Sequence, residues 1–394
     1  MRTTELLVAV CVVVLASAST ERAAASSETV VYSFPYNYGA LGRLLKVDSG
    51  TIYGTSLYGK SGLGAAYQLK QKRGQWSARE IESFTGHKDG KYPYAGVVRD
   101  PDTGALFGTT IYGGAKYGTV YALNFVNKAW SKTVLHNFNQ SDGAFPYGML
   151  VRDKVTGTLF GTAYQGGSAN CGTAFQLDEQ GAGFNVLYTF KGGADGCSPE
   201  TQLRTGQNAG TLVGSTDFGG SADLGTVFLL TETGGVWSQS VQHAFTGDDG
   251  CYPLDLAVSG DGTVYGVTSS CGSHGFGTVF QIRNVGSRPK FSTLYSFSGG
   301  VDGNSPVGIQ RDDPDGILYG ATRYGGTSDK GVVFALHHIS GDQWSETVLH
   351  SFAGGTDGSH PVSRPILDQS TGHVLGTTLD GGQDNNGVVY AVTP

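Results

Sequence analysis

Charge is scarce in this sequence. Asp, Glu, Lys and Arg make up 15% of its 394 residues, against about a quarter in an ordinary soluble protein. There is no long run of Lys or Arg, and the formal net charge is -7 with a pI near 5.7. That leaves no electrostatic footprint for nucleic acid or for an anionic membrane surface. After one N-terminal apolar run no second one follows, so no transmembrane segment is expected in the mature chain. Nucleophile elbows, phosphate loops, clustered metal-binding histidines and EF-hand ligand series are all missing. No cofactor and no metal are therefore expected. Cysteine is sparse as well, five in all, and no spacing gives the two close pairs a zinc site wants.

The apolar run, Leu6 to Ala16, follows Arg2 and leads into small residues that offer a cut after Ala18. This is the layout of a signal peptide, residues 1–18, with cleavage as late as 25 also compatible; residues 19–28 then form a short linker. The expectation is a secreted or periplasmic protein. Removing Cys11 leaves Cys171, Cys197, Cys251 and Cys271, an even number in an oxidising compartment. Three pairings are open, of which Cys171 to Cys197 and Cys251 to Cys271 are the most local.

What the chain has in excess is glycine, 63 residues. Aligned on Phe34, Phe84, Phe138, Phe190, Phe245, Phe297 and Phe352, it repeats every 50 to 55 residues. Each unit carries a turn glycine followed four residues later by another: Gly54, Gly108, Gly161, Gly214, Gly266, Gly320 and Gly376. A third glycine follows, with an aromatic three further on: Tyr67, Tyr121, Phe175, Phe228, Phe280, Phe334 and Tyr390. Four short apolar runs per unit, separated by turn residues, read as a four-stranded antiparallel meander, and no helical stretch intervenes.

Such a sheet has two apolar faces and must stack on its neighbours around an axis. Seven units predict an all-β, seven-bladed propeller over residues 29–394, a monomer. The segment ETVVYSF matches a fourth strand and the final GVVYAVTP a third, so the N-terminal strand is expected to complete the C-terminal blade. The mid-strand glycine is read as making room for an aromatic ring of the next blade. Trp76, Trp130, Trp237 and Trp344, each eight residues before its Phe, read as register pins on the outer strand.

The unit exemplified by ILYGATRYGGTSDKGVVFAL, followed by an SF-x-GG-x-DG-x-x-P segment, resembles the choice-of-anchor tandem repeat family known as GloVer, over nearly the whole chain after the signal peptide. The resemblance implies an exported bacterial repeat protein and no particular chemistry. Nothing apolar or sorting-like follows Pro394, so no C-terminal anchor is expected. A weaker similarity is to kelch repeats, which is one of architecture.

Candidate sites fall on the face carrying the YGG and DG loops. Asp89, Asp142, Asp195, Asp249, Asp302 and Asp357 recur as D-G-x-x-P. They read either as a ring of carboxylates near the central opening or, as their repetition favours, as turn residues. Tyr58, Tyr112, Phe218 and Tyr324 beside the YGG turns, with Tyr36 and Tyr38 in the one loop that lacks DG, are candidate stacking platforms for sugars or packing residues for loops. His136, His243 and His350 stand two before their Phe, where Tyr32, Tyr188 and Tyr295 stand elsewhere, and read as structural. His274 and His360 are candidates by location alone.

The function expected from these readings is a non-catalytic binding propeller with a polysaccharide or an extracellular protein as partner. The alternatives are a carbohydrate-active hydrolase or lyase using Asp residues around the opening, and a structural envelope or matrix protein. The preference for a non-enzyme rests on the irregularities being scattered along the chain.

Overall fold

The computed structural model describes residues 27–35, 39 and 42–394. The signal peptide, nearly all of the linker, and Tyr36 and Tyr38 lie outside the described residues. Seven antiparallel sheets follow one another in chain order, and in the first six the strands run from innermost to outermost in sequence order. The sixth blade is typical, with strands Asn304–Arg311, Leu318–Tyr324, Val332–Ser340 and Gln343–Ser351. Among the described residues no helix is long and apolar enough to cross a membrane.

The ring closes as the sequence predicts. Glu28–Ser33 pairs antiparallel with Val388–Val392, with Val30 opposite Tyr390, and the Phe34 N–H donates to the Gly387 carbonyl at 3.2 Å.

The mid-strand glycines lie opposite the third-strand aromatics of their own blade, Gly54 facing Tyr67 and Gly320 facing Phe334, and the same holds in the other five. A Cβ at Gly320 would stand 2.2 Å from Phe334 Cζ. The ring that needs the space therefore belongs to the same blade, which corrects the expectation of a ring from the next one. The neighbour's contribution is the strand-ending Phe. Phe34 packs edge-on against Tyr67, Phe84 against Tyr121, and so on to Phe352 against Tyr390, seven pairs at 4.9 to 5.3 Å. Each pair links the end of one blade to the third strand of the following blade, and every one of these rings is buried. Three of the tryptophans also span blades, Trp130 against Tyr53, Trp237 against Phe160 and Trp344 against Tyr265.

The innermost strands are unequal, and that inequality shapes the centre. In the fifth and sixth blades they run eight residues, Cys251–Val258 and Asn304–Arg311; in the second, third and fourth they shrink to Val98–Arg99, Val151–Arg152 and Arg204–Thr205. The cause lies in the spacing after proline. Leu256 and Ile309, the buried residues that face the mid-strand glycine, follow Pro253 and Pro306 by three positions, whereas Val97, Leu150 and Leu203 follow Pro93, Pro146 and Pro199 by four. The extra residue interrupts the ladder, while the residue after the proline faces the axis in either case: Tyr94, Tyr147 and Glu200 here, Leu254 and Val307 in the fifth and sixth blades.

Candidate functional site: the central cavity and its aromatic rim

The DG loops are built as turns. Each aspartate accepts a backbone N–H from the start of its own loop: Thr85 for Asp89, Asn139 for Asp142, Lys191 for Asp195, Thr246 for Asp249, Ser298 for Asp302 and Ala353 for Asp357, at 2.6 to 3.0 Å. Each carboxylate also meets a polar group from an outer strand. His136, His243 and His350 reach Asp142, Asp249 and Asp357; Tyr188 and Tyr295 donate to Asp195 and Asp302; Lys132 pairs with Asp89. None of the six lines the central cavity.

The residue before each loop proline takes a positive φ of 56 to 61°: Tyr92, Phe145, Ser198, Tyr252, Ser305 and His360. For a non-glycine residue this conformation is held by its surroundings. Here the N–H of each donates to a loop carbonyl of the preceding blade, as Tyr92 does to Leu63 at 2.8 Å. Four of the six are aromatic or histidine, and they meet the ring residues beside the YGG turns. Tyr58, Tyr92, Tyr112 and Phe145 form one chain of edge-to-face and tilted contacts across the first three blades, at 5.2 to 6.3 Å. Phe218 pairs with Tyr252, and Tyr324 with His360, whose Nδ1 lies 3.0 Å from Asp380. Tyr58, Tyr112, Phe218 and Tyr324 thus touch neighbouring loops yet stay 36 to 39% exposed. His274 is exposed beside Ser273.

Inside this rim lies a cavity of about 400 Å³ to which all seven blades contribute. Tyr94 and Tyr147 stand 5.6 Å apart on its wall, and Tyr164 follows at 5.3 Å. Beside them stand Glu200 and Asp217, near enough to perturb each other's ionisation, with Tyr164 next to Asp217. Burial pushes Asp217 up to about 9, helped by the Glu200 charge, and burial raises Glu200 as well. The pair therefore keeps a proton at neutral pH. Arg323 lines the same wall, with a buried Nε that has no hydrogen-bond partner. Sequence reasoning missed Tyr94, Tyr147, Glu200 and Asp217. For Tyr94, Tyr147 and Glu200 the signal was their place directly after the loop proline, a position that lines the cavity in six blades. Residues scattered along the chain converge here, because the position after each loop proline points to one shared axis.

The two disulfides flank this region. Cys171–Cys197 ties the third blade's loop to the DG loop of the fourth, and Cys251–Cys271 joins two strands of the fifth. These are the local pairings expected from the sequence.

The repeat that builds this geometry matches a known family over residues 22–228 and 157–390, described as the Gloeobacter/Verrucomicrobia repeat. The chain belongs to that family. No curated protein matches the sequence. Among solved structures, this repeat protein is similar to a hypothetical selenium-binding protein from Sulfolobus tokodaii, with 12% identity over 80% of this chain and 81% of the other and a TM-score of 0.60. It is also similar to oligogalacturonate lyase from Vibrio parahaemolyticus, with 11% identity over 92% and 91% and a TM-score of 0.55. At such identities the likeness is one of fold. Two disulfides and membership of a bacterial repeat family are consistent with an extracellular location.

Proposed function

We propose that this protein is an exported carbohydrate-binding propeller whose ligand lies across the YGG face and dips into the central cavity. The observation that supports it is the unbroken line of rings from Tyr58 to Phe145, partly exposed, whose first member Tyr58 lines the same cavity as Tyr94 and Tyr147. Flat apolar faces next to hydrogen-bonding groups suit a polyol that presents both C–H and O–H surfaces. A glycan array with the mature protein tests this, followed by Tyr112→Ala and Tyr324→Ala. A positive glycan should lose about tenfold in affinity with Tyr112→Ala, a change of about 1.4 kcal/mol. Unchanged binding in both variants would reject the aromatic platform, and an array with no positive glycan would favour a protein partner.

A second reading, a carbohydrate-active enzyme, draws support from the proton held by Glu200 and Asp217, since a carboxyl that stays protonated at neutral pH is a competent general acid. Their ionisations are linked, since the Glu200 charge helps to hold Asp217 protonated, as in two carboxyls that share one proton. That favours one proton-sharing unit over an acid and a nucleophile on opposite sides of a sugar. Turnover of an array-positive glycan, lost in Asp217→Asn while binding persists, would carry the enzyme reading over the binding one.

A further inference from the structure

The cavity is also lined by three arginines, Arg43, Arg204 and Arg364, from the first, fourth and seventh blades. Arg204 and Arg364 line a second cavity of about 240 Å³ as well, with Thr205, Val258 and Arg311, so they stand between the two cavities. Asp255 is the one carboxylate paired with them among the described residues: Arg204 Nη2 lies 2.8 Å from its Oδ1, and Arg364 Nε 3.7 Å from its Oδ2. That Oδ2 already accepts the Ile309 N–H at 3.1 Å.

Three guanidinium groups thus face one carboxylate. Arg204 and Arg364 spend further donors on the Leu256 carbonyl, and Arg364 also donates to Gln310 at 2.8 Å. Arg43 makes no ion pair within 4 Å among the described residues, and the Asp255 charge only partly offsets its burial. Its Nη1 donates to Gln202 at 3.3 Å, and its Nε is buried without a hydrogen-bond partner. Burial, together with the Arg204 charge, pushes Arg43 down to about 10. The backbones come close because two neighbours are glycine. A Cβ on Gly308 would lie 2.5 Å from Arg364 Cα, and one on Gly96 2.3 Å from the Arg43 carbonyl oxygen.

Buried cations without counter-charge are costly, and a planar guanidinium with free donors matches an oxyanion in geometry as well as charge. We propose that this arginine cluster of the central cavity is an oxyanion site, in which Arg43, supported by Arg204 and Arg364, takes a carboxylate or sulfate group. The site does not depend on the saccharide reading of the rim.

Titration calorimetry of the mature, disulfide-bonded protein tests it, with sodium sulfate, sodium glucuronate and neutral glucose at ionic strength matched by chloride. Saturable binding of sulfate, of glucuronate or of both is expected, with none for glucose. Sulfate alone would mark a site filled from solution, and glucuronate alone one that recognises a carboxylate borne on a sugar. Arg43→Gln should weaken that binding at least tenfold, Arg43→Lys should weaken it less, and the exposed Lys60→Gln should leave it unchanged. No saturable heat with either anion in the wild-type protein would overturn the proposal, as would wild-type affinity in a folded Arg43→Gln variant. A blank glycan array with anion binding intact would remove the saccharide reading and leave this site standing.

Discussion

The interface between blades and the axis around which they stand are made by the same seven units under opposite rules. Between blades the units agree: a glycine, an aromatic and a strand-ending Phe recur in all seven and make seven equivalent ring pairs. At the axis they disagree. The residue just ahead of the innermost buried aliphatic is Arg43, Gly96, Met149, Gln202, Asp255 and Gly308 in the first six blades; in the seventh, Arg364 lines the cavity from between the short strands Ser359–Pro361 and Ile366–Leu367 and precedes Pro365. The reason is geometric. Each inter-blade space is filled by two blades and exists seven times, so one solution serves everywhere. The axial space exists once and is filled by seven side chains together, so no single residue satisfies it: seven arginines would repel and seven glycines would leave it empty.

This contrast is breakable. Phe297→Ala removes a fully buried ring that packs on Phe334 at 5.2 Å. It should cost about 3 to 5 kcal/mol, read as a lower urea midpoint. Glu200→Gln, at the axis, should leave the midpoint nearly unchanged, because the pair already shares a proton. Equal losses in the two variants would mean that the centre carries as much stability as the interfaces. Next in size is the pair Cys171→Ser with Cys197→Ser, which opens a link spanning 26 positions and should cost about 2 to 4 kcal/mol. A loss well below that would show that the repeat alone fixes the loops around the cavity.

The fold was legible because its signals are local and repeated. Gly320 and Phe334 mark their strands by spacing, and the segment beginning at Glu28 declares itself a fourth strand without partners of its own. Even so, which ring lies over the glycine was misplaced, because the register that sets Gly320 opposite Phe334 comes from the hairpin linking them. The DG aspartates were recognisable as turn residues, and their bonds to outer-strand histidines and tyrosines show why those types occur two before Phe138, Phe190, Phe245, Phe297 and Phe352. The axial cluster was not legible. Arg43 and Arg364 are 321 residues apart in the chain, and nothing in either neighbourhood records that ring closure sets them side by side.

A smaller effect probes that closure from the inside. Arg43→Met removes one of the guanidinium groups clustered around Asp255, at a place where Arg43 has no ion-pair partner among the described residues. Without added oxyanion the variant should be more stable than wild type, by about 1 kcal/mol, and the gain should shrink as sulfate is added. A loss of stability in anion-free buffer would show that the stem of Arg43 matters more for packing than its charge does for repulsion.

The finest test concerns the joint where the two ends of the chain meet. Glu28 opens the closing strand and stands beside His350 and Asp357, the three offering ligand atoms within 4.8 Å of one another. Burial, and then the Asp357 charge, pushes Glu28 up from 4.5 to about 7. An acid whose pKa is raised on folding binds its proton more tightly in the folded chain, so its contribution is fully present below 4.5 and is lost as the pH rises through about 7. Asp217 titrates in the same sense over a wider range, so a global melting curve would mix the two. Hydrogen exchange read at Glu28–Ser33 and Val388–Val392 isolates the joint. Above neutral pH, these amides should exchange faster than the intrinsic rate increase explains, whereas Glu28→Gln should follow the intrinsic rate alone. If both proteins show the same excess, the loosening arises elsewhere, and the joint is as insensitive to pH as the six blades that need no second end of the chain to complete them.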